Sequence, residues 1–353
     1  MTQHRIAGDT HFGYVPALDG CRAVSIGIVF LGHAGLAKVF PGGFGVTVFF
    51  FLSGYLITSL LRDEFVRTDG IAFGDFYARR FLRLGPPLLI AMAVLGGLTA
   101  FGAVHAQINP VGVAAQILFM SNYATLFGYG ENGVPGMPLW SLAVEEHFYL
   151  VFPVFALWAM RRWDGARMAM AMALACVVVL LIRCVHVFVF HDTFYTYYLS
   201  HTRIDAIVFG CILAVWQNPV MDAAAWRPGP MALALAVATL AIGFAIAAPA
   251  FRETVRYSLQ GAALFVLFAA LLHARGGLAD RLLASRPLVA IGRWSYTFYL
   301  VHYFALLAAR AHLALPPVAI AVVAGGLALA FSAAMYAVVE RPIAIMRRKL
   351  RAA

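Results

Sequence analysis

Charge is scarce in this 353-residue chain. Asp, Glu, Lys and Arg make up 12% of it, whereas a soluble domain carries about 25%. With 63% hydrophobic residues and a mean hydropathy of +0.84, a water-soluble globular fold is excluded. Cysteine is almost missing too. Cys21, Cys176, Cys184 and Cys211 all fall in apolar runs without metal-ligand spacing. They read as small core hydrophobes, so neither a disulfide framework nor a metal site is expected. There is no internal repeat and no low-complexity tract. The formal charge of +10 would point to nucleic acid in a soluble protein. Here no nucleic acid is expected, because Lys and Arg collect in the cytoplasmic loops of membrane proteins.

What is present is a series of long apolar runs. A helix needs roughly 20 mostly apolar residues to cross a bilayer. Ten candidates lie near residues 20–38, 44–61, 84–104, 139–160, 168–190, 203–217, 231–250, 257–273, 288–309 and 317–339. The run 112–120 is too short and is expected to be re-entrant or interfacial. Ten spans place both termini on one side. Assigning them to the inside puts 18 of the 26 Lys and Arg in inner segments, and the 105–138 segment carries none. The expectation is therefore an all-α polytopic membrane protein, N-in and C-in. It divides into an N-terminal segment (1–17), a single transmembrane domain (18–345) and a basic tail (346–353).

The first span, LDGCRAVSIGIVFLGHAG, carries Asp19, Arg22 and His33. Arg22 and His33 are eleven residues apart, so they share one helix face and stand about 16 Å apart along the axis. Asp19, three before Arg22, is close enough to pair with it. An interfacial ion pair and a satisfied core histidine would explain all three. Intramembrane ionisable groups more often line a pathway, however, and His is the side chain suited to proton transfer near neutral pH.

Further polar groups fall at other span ends. Arg80 and Arg83 sit at the inner end of the third span, beside Arg79 and just before Gly85, Pro86 and Pro87. They fit either positive-inside anchoring or a clamp for phosphate oxygens, which guanidinium forks match in pairs. The fourth span opens with Trp140, Ser141, Glu145 and Glu146. Two carboxylates there are costly unless paired or functional. A helix-start preference for acidity explains one of them better than both. Arg203 and Asp205 open the sixth span, as acceptor-side groups or as a structural ion-pair set. In the ninth, Tyr299 and His302 are neighbours, whereas Tyr296 and His302 do not share a face. Glu340, in VVERP, reads as structural. Tyr195, Tyr197 and Tyr198 fit an interfacial girdle or sugar stacking.

Taken in order, LDGCRA with Arg22-x10-His33, GGFGVTVFFFLSGYLIT, FYARRFLRLGPP, PLWSLAVEEHFYLVFPV, TRIDAIVFGCILA, SYTFYLVH and VVERP resemble the acyltransferase-3 family of integral membrane acyltransferases. The resemblance covers about residues 14 to 345. It implies a ten-helix enzyme of the bacterial inner (cytoplasmic) membrane. Such an enzyme would move an acyl group, often acetyl, from cytoplasmic acyl-CoA to a hydroxyl on a sugar or lipid-linked glycan. Acyl-CoA is then a co-substrate, and no bound cofactor is implied. The family motifs fall on Arg22 and His33, on Arg80 and Arg83, and on Trp140, Ser141, Glu145 and Glu146. His33 becomes the expected general base, or the site of a transient acyl group. Glu145 or Glu146 would tune it, and Arg22, Asp19, Arg80 and Arg83 would serve the donor. Cys21, Thr47 and His147 depart from the usual pattern. No esterase-like domain of the kind some members carry is expected, and direct transfer to the final acceptor is the expectation. Acylation of a small secondary metabolite and a transporter or flippase are the alternatives. Many transporters show a repeat with paired broken helices, and this sequence does not.

Overall fold

The computed structural model describes residues 10–128 and 133–349, which are mostly helical with no strand among them. Arg5 and Arg351, counted above among the inner charges, and the ends of the 1–17 and 346–353 segments lie outside the described residues.

Each expected span is a helix: α1 (Pro16–Leu31), α2 (Gly42–Thr68), α3 (Phe73–Ala100), α4 (Trp140–Met160), α5 (Gly165–Phe188), α6 (Asp205–Trp216), α7 (Pro230–Ala245), α8 (Val255–His273), α9 (Arg286–His312) and α10 (Pro317–Met335). Seven are long and apolar enough to cross a membrane: α1 with its continuation to Leu36, α2, α3, α4, α5, α8 and α10 with its continuation to Met346. Helices α6 and α7 are apolar but shorter. Helix α9 has the length, at 27 residues, but carries Arg293, Ser295, Tyr296 and His302. The chain is thus an all-α polytopic membrane protein. The short run expected near 112–120 is the eight-residue helix Pro110–Ile117, whose first amides are capped by the Asn109 side chain. All four cysteines are free thiols, three of them buried.

Helix α3 starts well before its expected apolar run, because FYARRFLRL is already helical. The helix continues through Pro86 and Pro87. Prolines remove backbone donors, so a helix passes through them where neighbours can interact with the disturbed turn. In the turn just before them the Tyr296 hydroxyl donates to the Leu84 carbonyl at 2.8 Å, which ties α3 to α9.

By their contacts the residues group into two compact units. One comprises Met1–Leu18, Thr47–Ile71 and Val144–Ser285, and the other Asp19–Val46, Ala72–Ala143 and Arg286–Ala353. The first holds α5 to α8. In it α5 meets α6 through Arg183 and Asp205, 2.7 Å apart and both wholly buried. Charge so deep is tolerable only when its hydrogen bonds are met. Arg183 also donates to the carbonyls of Thr202 and Thr254 and to Ser258.

The second unit holds α1, α3, α9 and α10. Helices α1 and α9 run in the same direction. Asp19 lies against Gly292, Phe30 packs edge-on against Phe298, and His33 meets His302. Helix α3 follows the same sense, with Leu84 at Tyr296 and Leu95 beside Val301 and Phe304. Three parallel helices agree with spans one, three and nine starting on one side of a membrane. Helix α1 ends in a widened turn, Gly32–Leu36, in which Gly35 has φ of 104°. Glycine takes that left-handed conformation without the Cβ penalty, and the turn carries His33.

Candidate functional site

At the starting end of the three parallel helices is a cavity of about 210 Å³. It is lined by Asp19 and Arg22 of α1, Leu82 and Arg83 of α3, Arg293 of α9, and Tyr336, Glu340, Ile343 and Ala344 beyond α10. Three guanidinium groups and two carboxylates make its lining cationic. Arg22 is half-buried, and its Nε is enclosed without a hydrogen bond. The expected pairing of Asp19 with Arg22 is not formed among the described residues. Instead Arg293 reaches Asp19 at 3.7 Å. The physical reason is the close approach of α9. A Cβ on Gly292 would fall 1.9 Å from the Asp19 carbonyl oxygen, so the next residue, Arg293, lies beside Asp19. Arg22 is left turned to the cavity.

Of the two arginines singled out on α3, Arg83 lines this cavity and Arg80 is not among its lining residues. Arg83 is exposed and Arg80 half-buried. Glu340 accepts a 2.6 Å hydrogen bond from the Thr297 hydroxyl, which fixes the cavity's acidic wall to α9. Sequence reasoning passed over Arg293, Tyr336 and Glu340 as lining residues. The available signal was Arg293 itself, a charge inside a span just as Arg22 is.

Further along α1 and α9 the two histidines meet. His33 Nδ1 lies 2.9 Å from His302 Nε2, with the rings stacked at 5.1 Å. His302 is fully buried. Its Nδ1 lies 2.8 Å from the Tyr299 carbonyl oxygen and 3.2 Å from that of Phe298. His33 is half-buried, with the Tyr303 ring 5.0 Å away and its own carbonyl accepting from Arg310. No described residue hydrogen-bonds His33 Nε2.

Tyr299 and Ser141 join this cluster. The Tyr299 hydroxyl donates to the Pro138 carbonyl and lies 2.6 Å from Ser141 Oγ, so Ser141 donates to Tyr299. The expected neighbours Tyr299 and His302 have rings 5.7 Å apart. Trp140, half-buried, opens α4 one residue earlier.

The other unit holds the remaining candidates. Glu145 accepts from the Ser53 hydroxyl at 3.1 Å, and Glu146 follows it, half-buried. Asp205 accepts from the Arg183 guanidinium and from the Ser258 hydroxyl. Arg203 is fully buried. It donates to Thr47 Oγ1 at 3.2 Å and lies over the Tyr257 ring at 3.8 Å and the Tyr197 ring at 5.1 Å. Tyr197 therefore belongs to a cation–aromatic cluster. Two departures from the family pattern fall at such contacts: Thr47 at Arg203, and His147, whose Nδ1 lies 2.7 Å from Ser200 Oγ.

Comparison with known proteins agrees with the motifs. The O-acetyltransferase OatA of Staphylococcus aureus is 30% identical over 309 residues, covering 82% of this chain and 50% of that protein. The peptidoglycan O-acetyltransferase OatA of Listeria monocytogenes is 28% identical over 305 residues, covering 82% and 49%. The chain thus spans about half the length of these relatives. No solved structure matches it. The sequence model of the family, described as an acyltransferase domain, matches residues 15–337, and the chain belongs to the acyltransferase-3 family.

Proposed function

We propose that the chain is a membrane O-acyltransferase of the bacterial cytoplasmic membrane. It moves an acyl group, with acetyl as the first choice, from cytoplasmic acyl-CoA to a hydroxyl of a cell-surface or lipid-linked glycan. One observation supports the reading above the others. Helix α1 carries an arginine at a cationic cavity and, about 16 Å along the same helix, a histidine with an open ring nitrogen. Arginines at a cavity suit the phosphates of a nucleotide-bearing donor. The pantetheine arm would carry the thioester along α1 toward His33.

In this scheme the acceptor hydroxyl gives its proton to His33 Nε2 while its oxygen bonds to the thioester carbonyl carbon. Collapse of the adduct breaks the carbon–sulfur bond, and the same proton passes to the CoA sulfur. Arg22, Arg83 and Arg293 hold the donor's phosphates, and Asp19 orients Arg293. Glu145 and Glu146 are the carboxylates assigned to tuning charge in the reaction. A glycan is the preferred acceptor because the relatives above are named as O-acetyltransferases, one of them of peptidoglycan.

The test is label transfer. Purified protein in nanodiscs is incubated with radiolabelled acetyl-CoA and a membrane glycan fraction, and base-labile label on the glycan is counted. The reading predicts ester-linked label that an excess of unlabelled CoA suppresses. No transfer together with no detectable CoA binding would overturn it.

A further inference from the structure

We infer that His302 is a positioning residue, resting on the role proposed for His33: it holds the His33 ring in the tautomer protonated at Nδ1 and leaves Nε2 with its lone pair open.

A neutral imidazole has one donor and one acceptor nitrogen. His302 Nδ1 faces two carbonyl oxygens, at 2.8 and 3.2 Å, and carbonyls only accept, so Nδ1 carries the proton. A doubly protonated His302 would place a cation in a fully enclosed site. Its surroundings there are carbonyls, the Phe298 ring stacked at 5.9 Å and the Phe30 ring at 6.4 Å. Burying an unpaired charge among such groups is far costlier than burying the neutral ring. His302 Nε2 is therefore bare and must accept. The group 2.9 Å from it is His33 Nδ1, which must be the donor. The proton on His33 is thereby assigned to Nδ1, and the lone pair to Nε2.

That assignment suits the proposed step. Only an unprotonated nitrogen can take the acceptor hydroxyl's proton, and the second nitrogen's partner selects which one it is. The neighbouring contacts hold the arrangement in place. The Tyr299 carbonyl that accepts the hydrogen bond from His302 Nδ1 belongs to the residue whose hydroxyl binds Pro138 and Ser141. The turn before α4 thus braces the α9 turn that aims His302.

The experiment reads the tautomer directly. Histidine-15N-labelled protein in nanodiscs gives well-separated signals for protonated and bare ring nitrogens, and a His33→Gln sample assigns those of His33. The inference expects a protonated Nδ1 and a bare Nε2 on His33 in the wild type. In His302→Leu it expects the His33 signals to collapse to a tautomer mixture. kcat should then fall at least about tenfold with KM for acyl-CoA unchanged, a fraction of what a general base contributes. His302→Gln, whose side-chain oxygen can accept from His33 Nδ1, should restore the single tautomer and recover most of the lost rate. A wild-type His33 protonated at Nε2, or wild-type kcat in His302→Leu, would overturn the inference. So would a His302→Gln variant that is properly folded yet as slow as His302→Leu. The tautomer measurement needs no activity. The expected tautomer in a protein that neither binds nor uses acyl-CoA would sink the proposed function while leaving the ring assignment standing.

Discussion

The carbonyl oxygen of Asp19 occupies the space that a side chain on Gly292 would need, 1.9 Å from where its Cβ would stand. This contact sets how closely α1 and α9 approach, and it brings Arg293 to Asp19. Gly292→Val should force the helices apart and destabilise the protein by about 1–3 kcal/mol, the usual cost of overpacking. A lowered melting temperature in detergent would register it. Gly27→Ala, in the same helix α1 but with nothing within 4 Å of the added carbon, should leave the melting temperature unchanged or raise it.

The cationic cavity distinguishes among the arginines. Each charged hydrogen bond to a donor phosphate contributes about 1.5–3 kcal/mol, roughly a tenfold or greater change in affinity. Arg22→Ala and Arg293→Ala should therefore raise KM for acyl-CoA about tenfold or more. Arg83, being exposed, should show a smaller rise. Arg80→Ala should show less than Arg83→Ala, because Arg83 alone of the two lines the cavity. Steady-state kinetics across the four variants checks the ranking. Equal effects for Arg80 and Arg83 would contradict the cavity as the donor site.

Arg183 and Asp205 form a wholly buried pair. Removing one partner leaves an uncompensated charge, at a cost of about 3–5 kcal/mol. Arg183→Leu or Asp205→Leu alone should sharply reduce folded yield in detergent, while the double substitution to apolar residues should recover part of it. A stably folded but inactive Asp205→Leu protein would return Asp205 to the acceptor-side reading.

Glu145 accepts from Ser53, a bond that an amide oxygen can equally accept. Glu145→Gln should therefore fold with nearly unchanged melting temperature. If the carboxylate charge serves transfer as proposed, kcat falls about tenfold while KM for acyl-CoA holds. Unchanged kcat would make Glu145 a helix-packing residue.

Much of this arrangement was legible in the sequence. Each of the ten apolar runs falls on a helix, seven of them long and apolar enough to cross a membrane, and the eleven-residue spacing put Arg22 and His33 on one face. Both indeed turn toward α9, Arg22 at the cavity it shares with Arg293 and His33 at His302. Tyr299 and His302 were legible as neighbours because three residues make just under one helical turn. The partners across helices were not. Periodicity describes one helix at a time and carries nothing about which remote residue it meets. A local rule paired Asp19 with Arg22, but the close packing at Gly292 handed Asp19 to Arg293. Glu340 read as a structural residue and proves to be both anchored by Thr297 and part of the cavity wall. The part of α3 ahead of Arg80 was not legible, because its first turns are amphipathic rather than apolar.

The most direct measurement is of purified His33→Ala beside wild type, with CoA binding and label transfer from acetyl-CoA to glycan read on the same preparations. The account predicts wild-type affinity for CoA, since the arginine cavity is untouched, and loss of transfer to background. Transfer at the wild-type rate by His33→Ala would contradict it.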